Sequence, residues 1–407
     1  MEEQCASGCD GTRCAAPTCN TVVCNTPPPS QCVDSQTLQT YAPVGTCGTT
    51  CQYQAITITC ADGCDQTSCF AGSATYEHLP FNDGSNLYRY ALAVDALDQP
   101  HLAYCENNGQ VHYRHRNASG WTDETVDVPV GSGCAVVLDL GPGGVPRLAY
   151  HDSNNVDLRY AERGPNGFVI QTLLHTGDMG QAPSMTHDAQ GEPVIVSFGQ
   201  NTMRGAFVSR RAGGTWTTEA AVSLPGVNIP HPMTSVLFDA QGVLHVLVGP
   251  VGSAGEFATT EALTHASFNG SWVTRTAAAS GYASRRGFVL DALGNPLVAY
   301  GIPAGSFTAG KIHIARLLPG SIQDSYVKDV YSGFDYPTGF TDAPANPALI
   351  LRIPSSLYRE DVPQSGDWNL AFGSLNHEVM DLAPGPSGAW RYQVFDYQNT
   401  VSMFVRP

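Results

Sequence analysis

Cys105, Cys134 and His151 are of the types that hold a metal: two thiolates and an imidazole suit copper or zinc. The same two cysteines could instead form a disulfide, the reading an oxidising compartment favours, or stand as two buried thiols. Arg89, Arg285 and Arg286 are cations in a chain of net charge −16 whose only lysines are Lys311 and Lys328. A guanidinium in that setting can grip a carboxylate or sulfate with two parallel hydrogen bonds. Glu106, Asp152, His231, Tyr282 and Tyr336 add acid–base and hydrogen-bonding groups, with Asp178 and Asp335 in adjacent loops. Such a set suits a binding site for an anionic or polyhydroxylated ligand. It equally suits a hydrolase or lyase acting on an anionic substrate, or a copper- or zinc-dependent enzyme. No nucleophile–base pair stands out by spacing, which tilts the choice toward binding.

The elements that must position these residues follow from a repeat after residue 70. Each copy begins with an apolar strand ending in Asp, a Gly- or Pro-containing turn, and a second apolar strand. Ala91–Asp95 precedes Pro100–Tyr104, Val136–Asp139 precedes Pro146–Tyr150, and Met185–Asp188 precedes Pro193–Phe198. Val236–Asp239 with Leu244–Val248 and Phe288–Asp291 with Pro296–Tyr300 continue the series. Successive Asp residues lie 44, 49, 51 and 52 positions apart, the length of a propeller blade. The second half of each copy is a strand, a tight Gly/Asn turn, and an outer strand led by Trp121, Phe168, Trp216, Trp272 or Trp390. With no helical periodicity, the reading is all-β: a six-bladed β-propeller of four-stranded antiparallel blades, seven being the alternative count. The last unit is degenerate, with Ala348–Leu351 as its inner strand and Trp390–Asp396 as its outer one. Thr75–Pro80 reads as the strand that closes the ring.

Aligned at the end of the second strand, Cys105, His151, Gly199, Gly249 and Gly301 share one slot, with Glu106 and Asp152 beside it. Aligned six residues before the strand-ending Asp, Arg89, Gly133, Ala182, Met233 and Arg285 share another, with Cys134 and Arg286 one position on. Both slots fall at the channel end where inner strands begin. Because residues differ there from blade to blade, one central site is expected rather than a site per blade. Alternation along a strand aims Arg285 and Arg286 at opposite faces, so at most one reaches the channel. The strand-ending Asp residues recur and are read as turn caps rather than calcium ligands. The leading tryptophans are read as packing between blades rather than sugar platforms.

The pattern resembles the sialidase-type (BNR-repeat) propellers of secreted bacterial proteins, and more loosely the NHL-repeat propellers, over about residues 75–400. It departs from the first in lacking the Ser-x-Asp-x-Gly-x-x-Trp box, and no arginine triad can be assigned. Sialidase activity therefore does not carry over.

Residues 1–70 are of another kind, and 71–407 are assigned to the propeller. Eleven of 13 cysteines fall before residue 70 with almost nothing apolar between them, so a disulfide-stapled module is expected. Cys5–Cys14 matches Cys60–Cys69 at seven of ten positions, which makes 5–14 the tail of a repeat and 19–69 a complete one. The Cys-x3-Cys and Cys-x4-Cys spacings could hold zinc, but the cysteine density favours disulfides. The segment resembles the cysteine-rich stalks of some secreted bacterial proteins. Charged residues make up only 14% of the 407-residue chain. Its acidity without a basic cluster argues against nucleic acid. No apolar run approaches a membrane span. Met1–Gln4 has no signal-peptide character, yet cysteine usage predicts export after removal of a leader. The expectation is a secreted, periplasmic or cell-surface protein whose partner is an extracellular glycan, another polymer or an anionic small molecule.

Overall fold

The structure is a computed structural model. It describes backbone strands between residues 9 and 406, and side chains within 28–57 and 90–325, with gaps that include 129–133, 201–202, 252–260 and 303–309. The chain divides into two compact units, Met1–Thr75 with Arg406–Pro407, and Tyr76–Val405.

In the first unit the duplicated ten-residue sequence folds the same way twice. Cys9 pairs with Cys14 across one two-residue hairpin, and Cys64 with Cys69 across the other. Between them Gln31–Asp34, Thr37–Tyr41 and Ala55–Thr59 form a three-stranded antiparallel sheet. Cys51 is disulfide-bonded; the other cystines expected here lie outside the described residues.

The second unit is a β-propeller. Its strands fall into seven four-stranded antiparallel sets among the described strands, the first strand of each lying against the first strand of the next until the ring closes. Those inner strands are Tyr90–Val94, Val136–Gly141, Gln181–His187, Pro232–Phe238, Tyr282–Leu290, Tyr336–Phe340 and His377–Pro384, of blades 1 to 7. The propeller of four-stranded blades is as expected; the blade count takes the higher alternative. Ala348–Ile353 is the second strand of blade 6, not an inner strand, and Trp390–Asp396 is the second strand of blade 7, not an outer one. These two blades lack the Asp-turn and the Gly–aromatic hairpin together, so their strands merge into one unit when read by motif. Thr75–Leu79 forms the outermost strand beside Val401–Arg406, closing the ring with the two ends of the unit.

Local chemistry accounts for the repeat. In blades 1, 3, 4 and 5 the Asp that ends the inner strand turns its Oδ1 onto two backbone N–H groups of the following turn. Asp95 accepts from Leu97 and Gln99, Asp188 from Gln190 and Glu192, Asp239 from Gln241 and Val243, and Asp291 from Leu293 and Asn295, at 2.7–2.9 Å. These are Asx-type turns. Burial works upward on the Asp95 carboxyl, but the Gln99 and Leu97 N–H groups and His101 hold it below its usual range. Second strands such as Pro193–Gly199 and Leu244–Pro250 are buried along their whole length, because both faces meet a neighbouring blade. Apolar clusters accordingly bridge blades: Cys105, Tyr113 and Val126 pack with Val136, Leu148 and Tyr150, and Phe198, Val208 and Val222 with Val236 and Val246. The leading aromatics serve the same joints. Phe168 meets Tyr113 and Trp216 meets Tyr160 edge-on, at 5.4 and 5.0 Å between centroids. Arg211 spans blades 2 and 3, reaching Glu162 and Glu192 and lying over the Tyr160 and Trp216 rings.

Candidate polar site at the channel mouth

Three of the five residues in the second-strand slot are glycines for a steric reason. A Cβ on Gly301 would run into the Tyr282 ring, one on Gly249 into Leu263, and one on Gly199 would stand 2.7 Å from the Phe207 ring. The slot is therefore a close approach between a second strand and its neighbour, and only Cys105 and His151 place a side chain there. Tyr282 is buried at 5% exposure against this glycine, so its ring is packed rather than offered to a ligand.

Cys105 and Cys134 are bonded to each other, with 6.0 Å between their Cα atoms. The bridge ties the second strand of blade 1 to the segment leading into blade 2. Both sulfurs are consumed, so the copper or zinc site that Cys105, Cys134 and His151 could have formed is not assembled. Among the described residues no group of three His, Cys, Asp or Glu side chains is arranged to hold a metal.

His151 instead turns to blade 3. Its backbone N–H donates to Ala135 O at 2.9 Å, its ring lies over Gly180, and Nε2 stands 3.1 Å from Asp178 Oδ1. That pair is close enough for an ion pair but is not aligned as a hydrogen bond. From Asp178 a chain of polar side chains runs across the blade. Gln181 Nε2 donates to Asp178 Oδ2 at 2.5 Å, and Gln200 Nε2 donates to Gln181 Oε1 at 2.8 Å and to Ile229 O at 3.4 Å. Gln200 N also donates to Asp178 O at 2.6 Å. The strip thus spans blade 2, blade 3 and the approach to blade 4. It crosses the one non-glycine of the inner strands in the left-handed region, Ala182 at φ 45°, where the ladder is broken between Gln181 and Ser184. Such backbone strain persists only where surroundings over-determine it. Here Thr234 Oγ1 donates to Ala182 O at 2.6 Å.

The two arginines of blade 5 both enter the channel. Arg285 Nη1 donates to Val136 O at 3.1 Å and Pro183 O at 3.4 Å, and Nη2 to Tyr90 O at 3.5 Å. Arg286 Nη2 donates to Leu92 O at 3.0 Å. These carbonyls belong to inner strands of blades 1, 2 and 3, none adjacent to blade 5. The expectation that only one could reach the channel is corrected by a break in register between Ala283 and Phe288, which suspends the alternation over that stretch.

Other expected site residues have structural occupations. Asp152, 1% exposed, caps its own turn through the N–H groups of Asn154 and Asn155, and Arg159 Nη2 meets it at 2.8 Å. Burial, then the Asp152 charge, raises the carboxyl of neighbouring Asp157. Glu106 accepts from Asn108 Nδ2 at 3.0 Å and lies 3.4 Å from His112 Nε2, within blade 1. His231 is exposed, its carbonyl accepting Val251 N–H at 2.9 Å. Tyr336 opens the inner strand of blade 6, but its side chain, like all of Arg89 and Asp335, lies outside the described residues. Gln181 and Gln200, which join the strip together, were missed in the sequence. The one available signal was position, since each sits beside a slot residue, Ala182 or Gly199.

The sequence matches no family model and no curated protein. In structure it is similar to a polysaccharide lyase, an ulvan lyase bound to -[GlcA(1-4)Rha3S]-. That match has a TM-score of 0.54 and 10% identity over 81% of this chain and 94% of the other. It is also similar to an α-L-arabinanase of Penicillium chrysogenum complexed with arabinobiose, with a TM-score of 0.47 and 11% identity over 82% and 98% of the two chains. A fungal fucose-recognising lectin of Aleuria aurantia, described as a six-bladed β-propeller, gives 0.41 and 14% over 67% and 90%. At these identities the likeness defines the class, a β-propeller, and nothing finer. Among the described residues no helix is long and apolar enough to cross a membrane.

Proposed function

We propose that this propeller is an extracytoplasmic binding protein for a glycan or similar polyhydroxylated polymer, held at the end of the channel where the inner strands begin. The carrying observation is the His151–Asp178–Gln181–Gln200 strip, in which side chains from two neighbouring blades form one polar network at an end of the channel where blades 4 and 5 have glycine in the second-strand slot and blade 1 has a disulfide-bonded cysteine. A carboxylate accepts from vicinal hydroxyls, and amide groups both donate to and accept from them. Among the described blades the strip does not recur, which suits a single site. The lectin, arabinanase and lyase structures all bear on carbohydrate by their descriptions. The Cys105–Cys134 bond fits an oxidising compartment. On this reading the cysteine-rich residues 1–70 are a stalk or spacer for the propeller.

Asp178→Ala tests it. Loss of a charged hydrogen-bonding partner costs about 1.5–3 kcal/mol, so affinity for a bound oligosaccharide should fall roughly ten- to hundredfold. A variant that binds as the parent does places the site elsewhere. Polysaccharide cleavage is the second reading, favoured by the His151–Asp178 pair as a candidate acid–base couple. Release of shortened or unsaturated oligosaccharides from a polymer, lost in His151→Ala, would establish it.

A further inference from the structure

We infer that the site is selective for uncharged oligosaccharides, and that Asp178 is the residue that discriminates against uronate- or sulfate-bearing ones; this rests on the binding site proposed above. An anionic ligand needs a guanidinium turned outward with two parallel N–H groups available to it. Arg285 has both Nη atoms on the carbonyls of Tyr90, Val136 and Pro183, and Arg286 has Nη2 on Leu92 O, so these heads point across the channel into backbone. Arg159, beside the strip in blade 2, is held between Asp127 and Asp152 at 2.8 Å from each. Among the described residues, the guanidiniums of Arg159, Arg285 and Arg286 are thus built into the scaffold.

What the strip itself carries is one carboxylate, two amides and an imidazole. Asp178 keeps 16% of its side chain accessible, so its charge acts on whatever approaches. Among the described residues around Arg159, next to the strip in blade 2, carboxylates outnumber guanidiniums: Asp127, Asp152 and Asp157 all interact with it. The elevated carboxyl of Asp157, caused by burial and by Asp152, agrees with that local field. The whole chain adds a net charge of −16. A sugar hydroxyl meets this surface as donor and acceptor without penalty. A ligand carboxylate or sulfate within about 6 Å of Asp178 meets a like charge, worth roughly a hundredfold in affinity at the dielectric of a protein surface and roughly tenfold once about 0.1 M salt screens it.

The test is calorimetric titration of the intact protein with paired oligosaccharides of equal length. Neutral arabino-, manno-, gluco- and fuco-oligosaccharides are set against oligogalacturonate and a sulfated fuco-oligosaccharide, at low and at 0.5 M salt (roughly a 4 Å screening length). The expected result is neutral binding at least tenfold tighter, with salt improving only the acidic ligands. In Asp178→Asn the neutral-to-acidic ratio should narrow about tenfold. Tighter binding of the acidic series, weakened by salt, overturns the inference while leaving the binding site standing. An unchanged ratio in Asp178→Asn also overturns it. Binding of neither series overturns the proposed site, and the inference falls with it.

Discussion

Replacing Arg285 by Met removes a guanidinium while keeping most of the side chain's length, and the structure makes this a question about ring closure. The head bridges blade 5 to the inner strands of blades 1, 2 and 3. Only the bond to Val136 O, at 3.1 Å, is of good length; those at 3.4 and 3.5 Å are long. One hydrogen bond from a charged donor contributes about 1.5–3 kcal/mol, and the long pair adds a fraction of that, so about 3 kcal/mol is expected for the whole tie. Unfolding entropy near 2.1 cal/mol/K per residue over the roughly 330 residues of Tyr76–Val405 comes to about 0.7 kcal/mol/K. The midpoint of thermal unfolding should therefore drop by about 4 °C, measured by differential scanning calorimetry. Arg285→Lys, which keeps a charge but loses the fork, should recover part of the loss. Ligand affinity should weaken too, because Pro183 lies two residues beyond Gln181. A variant that melts with the parent yet loses ligand binding outright would refute this reasoning and make Arg285 a ligand contact.

Two further expectations concern blade 4 and the closing strand. His265 is pushed down to about 3 by burial, with the His245 and Arg275 charges adding to it, and His245 is lowered by burial as well. The His265 ring is neutral in the fold, so the unfolded chain takes up its proton first and stability should fall as pH drops below 6.5 toward 3, by up to about 1.4 kcal/mol per pH unit, with His245 adding in the same direction. Urea midpoints at pH 7, 5.5 and 4.5 should show that decline, flattened in His265→Gln; an equal slope in the variant would dispose of the buried-neutral pair. Deleting 1–70 should leave a cooperative all-β domain, whereas deleting 1–82 also removes Thr75–Leu79 from beside Val401–Arg406 and should not. Equal melting of the two truncations would show that this strand does not close the ring.

The propeller could be read from the sequence where its signals are local. An Asp followed by a tight turn, or a Gly/Asn pair ahead of an aromatic, is a few residues long and repeats because the backbone needs the same caps each time. Blades 6 and 7 satisfy the same geometry without those residues, so Ala348–Ile353 and Trp390–Asp396 looked like parts of one blade. Alignment brought Cys105, Cys134, His151 and Arg285 to one end of the channel, since strand ends are fixed by the repeat. Direction was not readable. The register break in Tyr282–Leu290 turns both Arg285 and Arg286 inward, and no residue type announces such a break. Asp152 had the position of a ligand-binding carboxylate, but Arg159 and Asn155, which occupy it, come from the neighbouring strand and turn. Gln181 and Gln200 carry no motif at all; they become a site only through each other.

The repeat itself argues that function belongs to what is not repeated. In blades 1, 4 and 5 the turn Asp has its Oδ1 on backbone N–H groups, and its Oδ2 goes to a side chain of its own blade. That partner is His101 Nε2 at 3.4 Å in blade 1, His245 Nε2 at 3.3 Å in blade 4, and Arg316 Nε at 2.9 Å in blade 5. With both oxygens committed to holding a hairpin, such a carboxylate has nothing left for a ligand. Blade 2 breaks the rule. Its turn is extended by the Pro142–Gly144 3-10 turn, and Asp139 reaches instead to His187 of blade 3, 3.1 Å away. The same two blades carry the His151–Asp178 pair at their other end. A joint between blades relieved of the common pattern at both ends can change its mouth without disturbing the ring. The other described joints, locked by repeated caps and by glycines under large side chains or, at Cys105, by the bond to Cys134, cannot. That is the physical reason to expect one site on this propeller, and to expect it between blades 2 and 3.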